Sequence, residues 1–400
     1  MLVVYFPVRS EARWAAHTGA RETALVKLTL ESLDVGFGDE VIVPGLTWQA
    51  TASVVCDVNA VPVMVDVDPT TLCIDPSKVE AAITPRTRAI IPVHLYHRMA
   101  DLDRLTEIAR KHSLHLVEDA AHAHGSQWDG RGAGSHGVFG SFSFQSSKTM
   151  NCAEGGALVT SSEDLYLRVV SQRSCGREQK NGVKVHSGNY RLTSLQAALL
   201  RGQLAAMVEN APVFDRNGQA LDRAVDAAPG VTSLRRNPRI TRQVGYSFCF
   251  RYEPLEYDGI AGDVFRRALS AELCWPFEST YAPLNHSELY YPHTKKRHAL
   301  SAEYLMAITP SRWELPAAEA LWKDHAVTSP WPIMGMAPTR ARLLTDAIAA
   351  GSRNCGHTNS RNSGVFEGGP EWGNRGRRRR GEGVQSDAHG KLLASEASLK

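Results

Sequence analysis

The chain has 400 residues, 43% of them hydrophobic, enough to bury a sizeable core and to form two domains of ordinary size. Its formal net charge of +3 gives the folded body no general field to draw nucleic acid or a membrane surface, so the expected partner is a small molecule. The seven cysteines, Cys56, Cys73, Cys152, Cys175, Cys249, Cys274 and Cys355, are scattered without a close pair; this argues against a zinc cluster or disulfide framework and fits a reducing cytoplasm, and no metal is expected.

The opening MLVVYFPVRSEARW carries a short apolar run with no basic leader before it and no A-x-A-like site after it, so secretion is not expected. No apolar run is long enough to span a bilayer. From Glu40 to Thr160 short apolar strands alternate with helical patterns: EVIVP, a helix near Thr47 to Asp57, VPVMVDVD, and a helix from Asp75 to Ile83. RAIIPVHLY follows, then a helix from Asp101 to His112 whose Leu102, Leu105, Ile108 and Ala109 recur at helical spacing, then the strand LHLVED. This βαβ rhythm predicts an α/β fold with a mostly parallel sheet covered by helices.

FGSFSF alternates large and small residues as a buried strand does, and GGALVT resumes a strand after two glycines, which puts Lys148 on the loop between them. Most lysines in such loops are simply solvated. In α/β sheets, however, ligands bind outside the carboxyl ends of the strands, and Asp119 ends LHLVED as Lys148 follows SFSF. The two could face one crevice or form an ordinary ion pair. The later loop GREQKNGVKVHSGNY is long and polar, either functional or a surface excursion, and Thr193 after it reads as the cap of a helix carrying Leu195, Leu199 and Leu204.

Beyond about Val231 strands and helices mix, with YSFCFRYE as a strand and KKRHALSAEYL as a helix, which suggests a smaller second domain. After Ala349 the Gly/Arg/Ser-rich composition predicts a disordered tail. Its basic run Arg375 to Arg380 could touch RNA or an acidic partner, but a solvated tail without function is the stronger expectation, and a shifted reading frame would give the same composition.

Four segments carry a more specific signal: GFGDEVIVPGLTWQATA (36–52), VEDAAHAHGS (117–126), SFSFQSSKTMNCAEGGALVT (141–160) and GNYRLTSLQAALL (188–200). From about Thr23 to Ala349 the chain resembles the fold-type I pyridoxal phosphate enzymes, in particular the DegT/DnrJ/EryC1/StrS family of sugar aminotransferases. The resemblance implies a large cofactor-binding domain over 21–230, a smaller α+β domain over 231–349, a poorly matching segment over 1–20, the tail over 350–400, and a homodimer.

It also implies residue roles. Lys148 matches the family lysine that bonds to the cofactor aldehyde and shuttles a proton, which requires an amine of lowered pKa. Asp119 matches the carboxylate that keeps the pyridine nitrogen protonated, and His122 the position near the phenolic oxygen. Trp48 matches an aromatic that stacks on the ring, although a core tryptophan is an alternative. Thr23 and Ser143 match positions at the phosphate, and Asn189 one that reaches it from a neighbouring subunit. Glu154, Gly155 and Gly156 match a turn after the lysine that reads as structural.

Three positions depart from the family pattern. Glu22 stands where a glycine opens the phosphate-gripping G-T-x-A-L segment, and a carboxylate there should repel the phosphate unless the chain bends away. His97 and Ala153 also stand where glycine is usual. The wording SFSFQSSKT resembles the glutamine-dependent inosose aminotransferases of aminoglycoside antibiotic pathways, which implies L-glutamine and a keto-cyclitol, scyllo-inosose or 2-deoxy-scyllo-inosose, as substrates. A nucleotide-sugar ketone as acceptor and a catalytically weakened relative acting as a binding protein are the alternatives. Arg177, Arg191 and His94 are candidates for the substrate side.

Overall fold

Strand-forming apolar runs and helical stripes alternate through the first part of the chain, and the computed structural model assembles them as an α/β fold. It describes residues 15–19, 22–177, 184–335 and position 343; the segment before Ala15, the loop positions 178–183 and the tail after Ala349 lie outside the described residues. In chain order come β1 (Ala15–Gly19), α1 (Glu22–Ser32), β2 (Glu40–Pro44), α2 (Ala50–Asp57), β3 (Val61–Val65), α3 (Pro76–Ala81), β4 (Thr87–Ile90), α4 (Leu102–Lys111) and β5 (His115–Asp119). The short strands β6 (Gln127–Trp128) and β7 (Arg131–Gly132) precede β8 (Phe139–Ser143), β9 (Gly156–Thr160), α5 (Glu163–Arg173) and α6 (Ser194–Asp226).

Seven strands form one sheet in the order β1-β9-β8-β5-β4-β2-β3. Four of its six neighbour pairings are parallel, and only β9 runs against β8 and β1. β2, β8 and β9 are buried along their whole length, which explains why EVIVP and FGSFSF read as near-continuous apolar or small-residue runs. The helix expected from Asp101 to His112 forms as α4, with Leu102, Leu105, Ile108 and Ala109 buried and Asp101 accepting from the Arg104 N–H. The helix expected from Thr47 starts only at Ala50, because Gly45 to Trp48 turn across the sheet edge first.

Thr193 caps α6 through a reciprocal capping box with Gln196. At 33 residues this helix is long enough to serve two cores. Its Leu200, Met207 and Ala211 pack with Phe142, Phe144 and Val159 of the main sheet, and its Leu221 and Val225 pack with Phe248, Phe250 and Tyr252. Those aromatics belong to a second sheet, β10 (Val231–Ser233), β12 (Ser247–Tyr252) and β13 (Ala326–Pro330), around which the proposed smaller domain is centred. Between β10 and β12, β11 (Ile240–Arg242) returns to pair with β6, and Leu284, Tyr290, Tyr304 and Leu315 pack into the main core. Chain after Val231 therefore serves both cores.

The helix expected over KKRHALSAEYL is shorter than its pattern suggests. In this segment, which follows α7 (Gly262–Leu273), only its end is α-helical, as the start of α8 (Ala302–Ala307), because the Ser301 hydroxyl accepts the Tyr304 N–H and starts the helix there; Lys296–His298 makes a single 3₁₀ turn. Among the described residues no helix is long and apolar enough to cross a membrane.

Two of the departures from the family pattern explain themselves here. His97 is buried, and Gly245 makes the room: a Cβ on Gly245 would lie 2.2 Å from the His97 Cβ. Burial and then the Arg98 charge hold His97 neutral, down to about 4, so its Nδ1 can accept the Cys249 N–H. Beside it, buried Arg98 donates to Asp222 Oδ2 of α6 at 2.8 Å and to the Leu234 carbonyl. Ala153 sits at φ 70°, a left-handed conformation that suits glycine and strains alanine.

Removing Asp222 leaves Arg98 as an uncompensated buried charge, so Asp222→Ala should cost about 3–5 kcal/mol in denaturant unfolding. A loss below about 1 kcal/mol would show the pair to be dispensable. Ala153→Gly should do the opposite and raise stability by about 1 kcal/mol in the same measurement, by relieving the left-handed alanine.

Candidate active site

A cavity of about 480 Å³ opens at the carboxyl ends of the parallel strands, where the residues after β2, β4, β5 and β8 converge. Thr23, Trp48, Asp119, His122, Ser143 and Lys148 all line it, together with Glu22, Gln49, Thr51, Glu154, Gly155, Tyr246 and Tyr281. The placement follows from chain path: β5 ends at Asp119, β8 ends at Ser143, and the Gln145–Asn151 turn carries Lys148 back over the strand ends.

Lys148 is not a solvated surface lysine. Its Nζ lies 4.2 Å from the centre of the Tyr246 ring, and the Asn151 side chain donates to its carbonyl at 3.1 Å. Burial pulls its ammonium down to about 8, against the opposing pull of the Glu22 and Asp119 carboxyls. An amine in that range keeps an appreciable neutral fraction near physiological pH, and the neutral form can act as nucleophile or base.

Asp119 is buried, with Oδ2 accepting from Thr51 Oγ1 and Oδ1 from the Ala121 N–H, both at 3.1 Å. Burial raises its pKa, and these hydrogen bonds and the Lys148 charge pull it back. A cation seated against it would find a fixed, desolvated carboxylate. His122 stacks on Tyr246 at 4.2 Å and on Tyr96 at 5.8 Å. Its Nδ1 accepts the Tyr96 N–H at 3.1 Å, and burial, then the Lys148 charge, holds the ring neutral. The ring proton therefore sits on Nε2, as a donor.

Trp48 is 47% exposed beside Tyr281, which removes the alternative of a core tryptophan. It is among the residues lining the cavity. Thr23, in the first turn of α1, and Ser143, at the end of β8, supply hydroxyls to the same cavity. Pyridoxal phosphate needs an amine, a carboxylate, an aromatic face and an anion seat, and Lys148, Asp119, Trp48 and the Thr23–Ser143 end of the cavity can provide them. Glu22 opposes the fit, because it lines the cavity rather than bending away.

Other sequence candidates lie elsewhere. His94 is fully buried and braces the fold: its Nε2 lies 3.1 Å from Glu118 Oε2 and its Nδ1 accepts the Ala100 N–H. Glu118 in turn accepts the Gly134 and Gly137 N–H groups, and although burial alone would raise its pKa, hydrogen bonds from His136 and His94 hold it well below the carboxylate range. His94 is therefore no substrate ligand. Arg177, Arg191 and Asn189 do not line the cavity of the single chain. Conversely, Tyr246, Tyr281, Thr51 and Gln49 line it without having stood out in the sequence. Tyr246 lies in an ordinary strand entry, and only its packing against His122 and Lys148 gives it away.

The family model described as the DegT/DnrJ/EryC1/StrS aminotransferase family matches residues 14–328. The chain is 44% identical over 313 residues to the L-glutamine:scyllo-inosose aminotransferase of Streptomyces griseus, covering 74% of this chain and 73% of that protein. It is 41% identical over 314 residues to the L-glutamine:2-deoxy-scyllo-inosose aminotransferase of Streptoalloteichus tenebrarius, covering 76% and 74%. Among solved structures, 3-amino-5-hydroxybenzoic acid synthase matches with a TM-score of 0.72 at 29% identity, over 85% of this chain and 87% of that one. DesV of S. venezuelae matches at 0.71 and 31%, over 84% and 85%. With this fold, this cavity and these likenesses, the chain belongs to the DegT/DnrJ/EryC1/StrS family of pyridoxal phosphate-dependent aminotransferases.

Proposed function

We propose that the chain moves the amino group of L-glutamine to a keto-cyclitol, scyllo-inosose or 2-deoxy-scyllo-inosose, in aminoglycoside antibiotic biosynthesis, acting as a cytoplasmic homodimer. The observation that carries this reading is the juxtaposition of Lys148, lowered to about 8, with buried Asp119 in one cavity. The likeness to inosose aminotransferases at about 40% identity supports the choice of substrates.

When bound, the cofactor supplies an electron sink for negative charge at the amino-bearing carbon. The chain's residues do the rest. Lys148 Nζ, when neutral, takes the proton from Cα of glutamine and, in the second half of the exchange, delivers one to the carbon that was the ketone. Asp119 holds a proton on the ring nitrogen by keeping its own charge beside it. His122 donates from Nε2 toward the phenolic oxygen, Trp48 covers the ring face, and Thr23 and Ser143 hold the phosphate. Asn189 would reach the phosphate of a second copy, and the exposed Leu195, Leu199 and Val208 of α6 offer an apolar face for such a copy to cover.

Absorbance of the purified chain with pyridoxal phosphate, before and after L-glutamine and beside Lys148→Ala, tests the reading. A visible band that requires Lys148 and bleaches with glutamine is expected. Scyllo-inosose or its 2-deoxy form should then be aminated, and Lys148→Ala should lower that rate by at least about a thousandfold. Amination of a nucleotide-sugar ketone alone would move the substrate to that class, and no band at all would leave the weakened relative. Only the neutral amine attacks the aldehyde, so at saturating cofactor the rate of attachment should rise with pH through about 8 and level off above it.

A further inference from the structure

The structure shows what the chain does with the carboxyl at Glu22. The first turn of α1 packs so closely on β9 that a Cβ on Gly156 would lie 2.6 Å from the Glu22 Cα. The backbone has no slack to swing Glu22 aside. Its side chain turns into the cavity, where Oε1 accepts from Ser141 Oγ at 3.1 Å. Ser141 is the register partner of Asp119 on the neighbouring strand, and Glu22 and Asp119 line the same cavity. Two buried carboxyls in one site do not both ionise without cost, which favours a proton on one of them.

A dianionic phosphate at Thr23 and Ser143 would stand in the same desolvated cavity as that carboxyl, where repulsion is poorly screened. We infer that Glu22 is a proton-carrying member of the cofactor seat: the phosphorylated cofactor binds with a proton held on Glu22, and the ionised carboxylate opposes it. The charged groups around Glu22 agree with this. Burial, then the Asp119 charge at the end of β5, raises Glu22 to about 8, while Lys148 on the loop after β8 pulls the other way. Glu154 on the loop before β9 also lines the cavity and adds negative charge; β9 has no titratable side chain, the α2 residues at the cavity, Ala50 and Thr51, carry none, and His122 is neutral. The inference rests on the family's cofactor dependence and not on which ketone is aminated.

Pyridoxamine 5'-phosphate carries the phosphate without an aldehyde, so its binding does not involve a bond to Lys148. Its dissociation constant, read from tryptophan fluorescence, would be measured from about pH 6.5 to about pH 9.5 on the native chain, Glu22→Gln and Glu22→Gly. Below about pH 7 the native and Glu22→Gln proteins should bind alike, within about threefold; above about pH 8 the native protein should fall behind by up to about tenfold per pH unit, while Glu22→Gly stays tight. Parallel curves would overturn the inference. So would loss of binding in Glu22→Gln at pH 6.5, which would make the carboxyl a required ligand.

A second readout needs no cofactor. A carboxyl raised from 4.5 to about 8 in the fold contributes stability that is complete below about 4.5 and lost as pH rises through about 8. Relative to Glu22→Gln, the thermal midpoint of the native apo chain should decline across that window. An unchanged difference would sink the inference even if both proteins bind cofactor. Neither readout uses an acceptor, so failure to aminate an inosose would leave both intact.

Discussion

Lys148, Asp119 and Glu22 share one poorly hydrated cavity, and no simple assignment of charge suits all three. Full ionisation gives one cation against two buried anions, and full neutrality leaves Asp119 unable to hold a cation. The inferred compromise is a proton kept on Glu22 opposite an amine brought down to about 8. That compromise makes the lysine reactive near neutral pH. Burial does this, so everything that encloses Lys148 also tunes the amine.

The fold supplies that closure with few parts. Parallel strands end together, so the residues following β2, β5 and β8 meet at one edge of the sheet without any long-range search for register. α6 then ties the main sheet to the second one, and the Arg98–Asp222 pair fastens that helix to the chain leaving β4. Tyr246 and Tyr281 are held at the cavity by Tyr96, whose carbonyl accepts the Tyr246 N–H at 2.8 Å and whose hydroxyl accepts the Tyr281 N–H at 3.0 Å.

Much of this arrangement was legible in the sequence, for identifiable reasons. A parallel sheet writes its strands as continuous apolar runs and puts its loops at fixed offsets, so Asp119 and Lys148 could be placed at strand ends before any coordinates. His94 misled because a histidine beside an acidic strand looks the same whether it faces solvent, ligand or a buried glutamate; only its enclosure by Glu118 and the Ala100 N–H decides. Tyr246 and Tyr281 were illegible because neither belongs to a local pattern. KKRHALSAEYL has helical composition throughout, yet one serine cap set the true start.

The three places where a side chain replaces the family's glycine show three physical remedies of different completeness. At His97 the space is returned by Gly245, and the added ring gains a backbone hydrogen bond, so the exchange is compensated by packing. At Ala153 nothing compensates: the φ of 70° persists and the strain stays in the turn after the lysine. At Glu22 the remedy is a proton, which water can remove. Packing and strain do not depend on solution conditions over the range where a protein stays folded, but protonation does. Of the three departures, only Glu22 can therefore make the behaviour of the cavity change with its surroundings, and it stands beside the carboxylate on which the cofactor depends.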